Sequence, residues 1–196
     1  VALFAALSYS VTRSGQGGSG INKEETSINA AQIIQYGTLL KQSIDRLRLI
    51  NGCSENEISF EHAAVSGYAN SESTLTNNTC HVFESEGAGL YRDIDWRFTA
   101  RNYVVDIPSS GNLERDLIGF ISVDLDTCLE INRRLDVAPG VTPASDDTFA
   151  GTFNGSYTNS STNDIGNEWA PLRGQYQACM LSLAGEYGYY TVLIER

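Results

Sequence analysis

The amino-acid sequence predicts an α+β fold in which one long N-terminal helix packs on an antiparallel β-sheet. Two patterns support this prediction. Residues 22–51 carry apolar side chains at a helical period, whereas several segments after residue 93 alternate apolar and polar residues as strands do. Because no internal repeat and no clear linker follows residue 52, we expect one globular domain over residues 21–196, with residues 1–20 as an appendage.

The appendage divides into an apolar segment and a glycine-rich joint. Residues 1–11 are apolar, and no charged residue precedes Arg13. This segment is shorter than the roughly 20 residues that span a bilayer. The following stretch disfavours a helix and is expected to be flexible because of its four glycines, Gly15, Gly17, Gly18 and Gly20.

The helix predicted over residues 22–51 has clear signals at both ends. Asn22 is a suitable N-cap, and Glu25 completes a capping box three positions later. Gly52 provides a left-handed stop. The helix would be roughly 42 Å long at about 1.5 Å per residue. Its buried stripe is expected to consist of Ile33, Tyr36, Leu40, Ile44 and Leu47, widened by Ala30, Ile34 and Ile50.

The remaining chain is expected to supply the sheet and one short helix. The apolar run 116–123 is the most strand-like and is therefore predicted to be central, and a helix over 128–135 would be capped by Asp126 or Thr127. A final antiparallel hairpin is expected from 178–183 and 189–194. Short strands are predicted at 57–61 and 81–83, and two further strands at 93–99 and 102–107.

Four cysteines are present: Cys53, Cys80, Cys128 and Cys179. An even number in a Ser/Asn/Gly-rich chain favours two disulfides and an oxidising compartment, and the alternative is four buried thiols in a cytosolic protein. Of the three connectivities we prefer Cys53–Cys80 with Cys128–Cys179, because each pair then lies in its own half of the chain.

The composition argues against several functions. A net charge of −11 with only 13 scattered Lys and Arg residues disfavours nucleic acid as a partner. We expect no catalytic residue, no cofactor and no metal site, so the chain is not predicted to be an enzyme. His62 and His81 are the only histidines available to a hydrolase. Residues 124–127 and 163–168 offer oxygen ligands for calcium, but neither stretch matches an EF-hand loop.

Several stretches together carry a family resemblance. They are VALFAALSY at 1–9, NAAQIIQY at 29–36, NGCS at 51–54, CLEINRR at 128–134 and YYTVLI at 189–194. In these stretches and in its overall layout the chain resembles type IV pilins and pseudopilins, in particular pilin-like proteins of alphaproteobacteria. The resemblance implies a pilin-like fold, assembly from the bacterial inner membrane by the pilus machinery, N-terminal helices in a filament core and sheet domains outside.

The resemblance therefore implies a structural subunit of an extracellular, cell-surface filament that polymerises with copies of itself. The subunit interface would be formed by Val1, Leu3, Phe4, Leu7 and Val11. Family members usually carry a Glu near the mature N-terminus. Residues 1–11 have no carboxylate, so either the true N-terminus lies upstream or this contact is missing.

Two other functions remain as alternatives. One is a minor pseudopilin of a secretion or adhesion machine. The other is a membrane-tethered surface binding domain, which would place a ligand pocket in the loops between residues 84 and 112. A surface or host-cell ligand is not identified by the sequence.

Overall fold

A computed structural model describes residues 18–73, 78–93, 95–108, 115–149, 151–157 and 164–196. The chain there is α+β, with two α-helices and a five-stranded mixed sheet. The helices are α1 (Gly18–Leu49) and α2 (Leu125–Arg134). The strands are β1 (Arg97–Val104), β2 (Asp116–Val123), β3 (Asp164–Ile165), β4 (Gln177–Leu181) and β5 (Tyr187–Ile194).

Helix α1 confirms the long amphipathic helix but corrects its start. It begins at Gly18, so Gly18 and Gly20 of the predicted joint lie inside it and Asn22 is not its N-cap. The roughly 1 kcal/mol penalty of a helical glycine is small enough for neighbouring residues to override. The helix ends at Leu49, and Gly52 has the expected positive φ of 72°.

The stripe of α1 that faces the domain is the predicted one. Ala30, Leu40, Ile44 and Leu47 are completely buried, and Ile33 is nearly so. Tyr36 and Ile34 are half-buried at the edge of the stripe. The inclusion of Ile50 is wrong: it is 74% exposed because it follows the last helical residue.

The sheet has the strand order β3–β1–β2–β5–β4, so β2 is central as predicted. Strands β1, β2, β5 and β4 pair antiparallel, including the expected hairpin of β4 and β5. The prediction of a wholly antiparallel sheet is nevertheless wrong, because β3 pairs with β1 in parallel. Because β3 has only two residues, 164–165, it shows no alternating pattern from which a strand could be predicted.

The two strands predicted at 93–99 and 102–107 are a single strand, β1. Its pairing with β2 changes register between Thr99 and Asn102, which is where the alternation in the sequence is interrupted. The segments 57–61 and 81–83 do not form the predicted strands; they are joined by one isolated parallel bridge between Ser59 and His81.

Helix α2 also starts earlier than its sequence pattern indicates. Asp124 is the N-cap, and its carboxylate accepts hydrogen bonds from the backbone N–H of Thr127 (2.8 Å) and from the Thr127 hydroxyl (2.8 Å). The predicted caps Asp126 and Thr127 lie within the helix instead. Asp124, Asp126 and Thr127 are all of residue types that cap helices well, so residue type alone does not identify Asp124 as the cap.

The sheet is covered on both faces. On one face α1 and α2 pack over Leu117, Ile121 and Tyr189. On the other face the loops and the short helix Ala170–Leu172 cover Ile118 and Phe120. Because both faces of β2 are buried, this strand is a nearly continuous apolar run, the property that predicted its central position.

Two disulfides fasten the helices to the domain. Cys53–Cys80 lies directly after α1 and closes the loop that follows, while Cys128–Cys179 joins α2 to β4. This confirms the connectivity preferred from the positions of the cysteines in the sequence. Asn132 strengthens the second junction, because its side-chain amide donates to the Cys179 carbonyl (2.8 Å) and accepts from the Cys179 N–H (2.8 Å).

Gly37 allows α1 to approach β5 closely, which yields a first prediction. A Cβ at this position would lie 2.7 Å from the hydroxyl oxygen of Tyr189 and 3.2 Å from its Cε1. We expect Gly37→Ala to lower the free energy of unfolding by about 1–2 kcal/mol, because the clash exceeds the roughly 1 kcal/mol gain in helix propensity. Urea unfolding measures this change.

The matched control is the double-mutant cycle with Tyr189→Phe. Removing the hydroxyl removes the closest contact, so Gly37→Ala should cost less in the Tyr189→Phe background. An equal loss of stability in both backgrounds would show that the Tyr189 hydroxyl is not the reason why a Cβ at position 37 is destabilising.

Candidate assembly surface

The N-terminal turns of α1 extend beyond the domain core. None of residues 22–29 is buried, and Ala30 is the first completely buried residue from residue 22 onward. These turns touch the rest of the domain through Ser27, whose carbonyl and hydroxyl oxygens accept hydrogen bonds from Arg134 (3.0 and 2.7 Å). The described part of α1 therefore extends past the domain core at its N-terminal end.

The solvent-facing side of α1 has an unusual composition. All of its exposed residues from 28 to 42 are uncharged, although the chain carries a net charge of −11. Ile28 is 59% exposed and Leu39 is 40% exposed. We call this surface the uncharged face; it consists of Ile28, Asn29, Gln32, Gln35, Thr38, Leu39 and Gln42. Exposed helix surfaces normally carry charged residues, so this one is suited to contact with another molecule.

A cleft of about 570 Å³ lies between the uncharged face and the end of the sheet. Its apolar lining comes from Ile33, Trp96 and Ile121. Its polar lining includes Asn29, Gln32 and Tyr36 from α1 and Asp93, Asp95 and Asp124 from the domain. The cleft therefore has an apolar base and a polar rim that contains three carboxyl groups.

Tyr36 fixes one wall of this cleft. Its hydroxyl donates to the Tyr91 carbonyl (2.6 Å) and accepts from the Asp93 N–H (3.1 Å). Its ring packs against Trp96 with centroids 5.2 Å apart. Partial burial raises the pKa of Tyr36, so the hydroxyl stays protonated and keeps donating at neutral pH.

Two of the three carboxylates at the rim accept local hydrogen bonds. Asp93 accepts from the Asp95 N–H (3.1 Å), and Asp124 is the N-cap of α2. The hydrogen bond from the Thr127 N–H lowers the pKa of Asp124 below its ordinary value, so this group is ionised at neutral pH. The rim is accordingly negative.

Glu130 organises the contact between α2 and the projecting part of α1. It forms ion pairs with Arg133 (2.6 Å) and Arg134 (2.8 Å), and its side chain is only 16% exposed. The hydrogen bond from Arg133, followed by that from Arg134, lowers the pKa of Glu130 to about 2 from an ordinary value of 4.5. Arg134 in turn reaches Ser27 of α1.

This arrangement predicts a pH-dependent loss of stability. A carboxylate with a lowered pKa stabilises the fold above its ordinary pKa, and the stabilisation is lost as pH falls towards 2. We expect Glu130→Gln to lower the free energy of unfolding by about 1–2 kcal/mol at pH 7. The difference from the unsubstituted chain should shrink between pH 5 and pH 2.

Chemical denaturation at several pH values tests this expectation, with Glu24→Gln on the exposed part of α1 as the matched control. A Glu130→Gln effect that does not change with pH would contradict the assignment.

The predicted interface residues Val1, Leu3, Phe4, Leu7 and Val11 lie outside the described residues, as do Gly15 and Gly17. The uncharged face was not predicted from the sequence, because the helical period of the apolar residues identifies only the buried stripe of α1. Its signal was nevertheless present, since every exposed helix position from 28 to 42 lacks a charge. The cleft had no such signal because it joins residues distant in the chain.

His62 and His81 both line a second surface cleft of about 580 Å³. The Nδ1 of His62 accepts a hydrogen bond from the Ala64 N–H (3.2 Å). In the described parts of the chain, no three His, Cys, Asp or Glu side chains are arranged to hold a metal ion. Among the same residues, no helix combines the length and apolarity that a membrane crossing requires.

Comparison with known proteins does not assign the chain to a family. No family model, curated protein or solved structure matches it.

Proposed function

We propose that this chain is a structural subunit of an extracellular bacterial filament of the type IV pilus type. It polymerises through residues 1–11 and performs no chemistry. The observation that carries the proposal is the long helix α1, whose first turns project from the core and are preceded in sequence by an uncharged apolar segment. A helix that served only the domain core would need no such extension.

Burial of apolar side chains provides the driving force. Apolar surface removed from water contributes roughly 25 cal/mol per Å², and each added copy repeats the same contact. Because the apolar segment of one copy meets a different surface on the next, the contact is heterologous and the assembly is open. An acidic, well-folded domain on the outside keeps such a polymer dispersed in water.

The disulfides support assembly outside the cytoplasm. Both pairs connect helices to loops or strands that are far apart in sequence, with separations of 27 and 51 residues. Such bonds persist in oxidising compartments. An inner-membrane pilus assembly machinery is the partner that the proposal requires.

Electron microscopy of material sheared from the cell surface, together with mass spectrometry, tests the proposal. A major subunit should dominate the mass of the filaments. If the chain occurs in filaments only at trace level, the minor-pseudopilin alternative replaces it. If it is absent from filaments, the proposal is wrong.

The cleft beside α1 favours a second candidate, a membrane-tethered surface binding domain. Asp93, Asp95 and Trp96 belong to the loop region in which the sequence analysis places a ligand pocket under this alternative. Such a protein should be monomeric after detergent extraction and should bring no filaments into the sheared fraction.

A further inference from the structure

We propose that the uncharged face of α1 docks a second copy of this chain, with the two helices antiparallel and related by a two-fold axis near Leu39. This pairing goes beyond the filament, because it uses α1 between residues 28 and 49 and not residues 1–11. The spacing, the symmetry and the charges of the exposed helix positions all support this pairing.

The exposed positions repeat with the spacing of a helix–helix seam. Among them, one line of positions spaced by four and three residues runs through Ile28, Gln32, Gln35, Leu39, Gln42, Arg46 and Leu49, with Asn29 and Thr38 exposed beside it. This 3.5-residue repeat keeps one line of side chains facing a partner helix over its whole length. On α1 the line faces solvent, because the opposite side already covers the sheet.

The pattern is self-complementary in the antiparallel orientation. Leu39 is the middle member of the series, so a two-fold axis there brings it against the Leu39 of the second copy. The same axis places Gln35 beside Gln42, whose amides can donate to and accept from each other. It also places Ile28 beside Leu49, so the most exposed apolar side chains at the ends cover one another.

The charges select both the partner and the orientation. Two copies that each carry a charge of −11 repel at most approaches, and the uncharged face is a surface where they meet without opposed carboxylates. A parallel pair would set Arg46 against Arg46. An antiparallel pair sets Arg46 against Gln32 and brings the basic end of α1 towards Glu24 and Glu25 of the other copy.

The size of the surface sets the strength of the pairing. A helix segment from residue 28 to residue 49 is about 32 Å long and about 10 Å wide, or roughly 300 Å² per copy. This is less than the roughly 800 Å² per partner of a stable complex. The pair should therefore be weak and dynamic, with a dissociation constant in the range of roughly 10 µM to 1 mM.

In a polar filament all copies point in the same direction. In the proposed filament the sheet domain lies outside, so the side of α1 opposite the sheet faces the filament axis. An antiparallel pair therefore joins two subunits before assembly, whereas residues 1–11 supply the contact along the filament.

Cysteine cross-linking of the full chain with Leu3→Asp and Leu7→Asp tests the proposal without filament contacts. Leu39→Cys should form a disulfide-linked dimer under mild oxidation. Gln35→Cys and Gln42→Cys should each remain monomeric alone and should cross-link when mixed. Cross-linking of Gln35→Cys with itself and of Gln42→Cys with itself would overturn the antiparallel pair, and the absence of cross-links in all three experiments would overturn docking at this face.

Analytical ultracentrifugation provides a second measurement. Leu39→Glu should raise the dissociation constant of the pair by about tenfold or more. The matched control is Leu183→Glu, since Leu183 is 64% exposed but lies on another part of the surface. Equal effects of the two substitutions would overturn the assignment of the contact to α1. None of these results depends on whether filaments form.

Discussion

Replacing Leu3 and Leu7 together with Asp is expected to abolish filaments while leaving a folded domain. Each leucine buried between subunits contributes about 1.5–3 kcal/mol, and a carboxylate in its place would lose this contribution and carry a further cost of desolvation. Because every copy makes the same contact, the loss recurs at each step of the polymer. Electron microscopy of sheared material from cells with the double variant measures the outcome.

The matched control is the double substitution Leu3→Met and Leu7→Met, which keeps two apolar side chains of similar volume and should keep filaments. Circular dichroism and intact disulfides should show that the domain of the Asp variant is folded. Normal filaments from the Leu3→Asp, Leu7→Asp chain would contradict assembly through residues 1–11.

Removing the Cys128–Cys179 disulfide is expected to have the largest effect on the domain itself. The bond closes a loop with a sequence separation of 51 residues, for which chain entropy gives a loss of about 4 kcal/mol. The Cys53–Cys80 bond closes a shorter loop of 27 residues and should cost about 3.5 kcal/mol. Both cysteines of the longer loop are completely buried, so its removal also disturbs packing between α2 and β4.

The variants Cys128→Ala with Cys179→Ala, and Cys53→Ala with Cys80→Ala, should be compared by urea unfolding. The first pair should be the less stable. The Asn132 hydrogen bonds to Cys179 should keep α2 on β4 and allow the domain to fold without the bond. A greater loss from the Cys53 and Cys80 pair would show that the loop after α1 matters more than the α2 junction.

Strong periodic signals made much of this fold predictable. The buried stripe of α1 follows the helical period, and β2 is recognisable because both of its faces are buried. The separation of the cysteines into two halves of the chain indicated the disulfide pairs. In these cases the residues that the local sequence pattern marks are the same ones that the folded domain buries or joins.

The differences arise where local residue preference does not decide the structure. Gly18 and Gly20 are helical despite their low propensity, and Asp124 replaces two equally plausible caps of α2. The parallel pairing of β3 depends on Tyr103 and Val104, which are about 60 residues earlier in the chain. The cleft likewise combines α1 with Asp93, Asp95, Trp96 and residues 121–124, so only the three-dimensional fold defines it.

Helical reconstruction of purified surface filaments by cryo-electron microscopy tests the central claim most directly. We expect the map to fit this chain, with residues 1–11 in contact with neighbouring copies at the filament axis and the sheet domain outside. A map in which this chain is absent, or in which its sheet domains form the axial contacts while residues 1–11 face solvent, would contradict the proposed assembly.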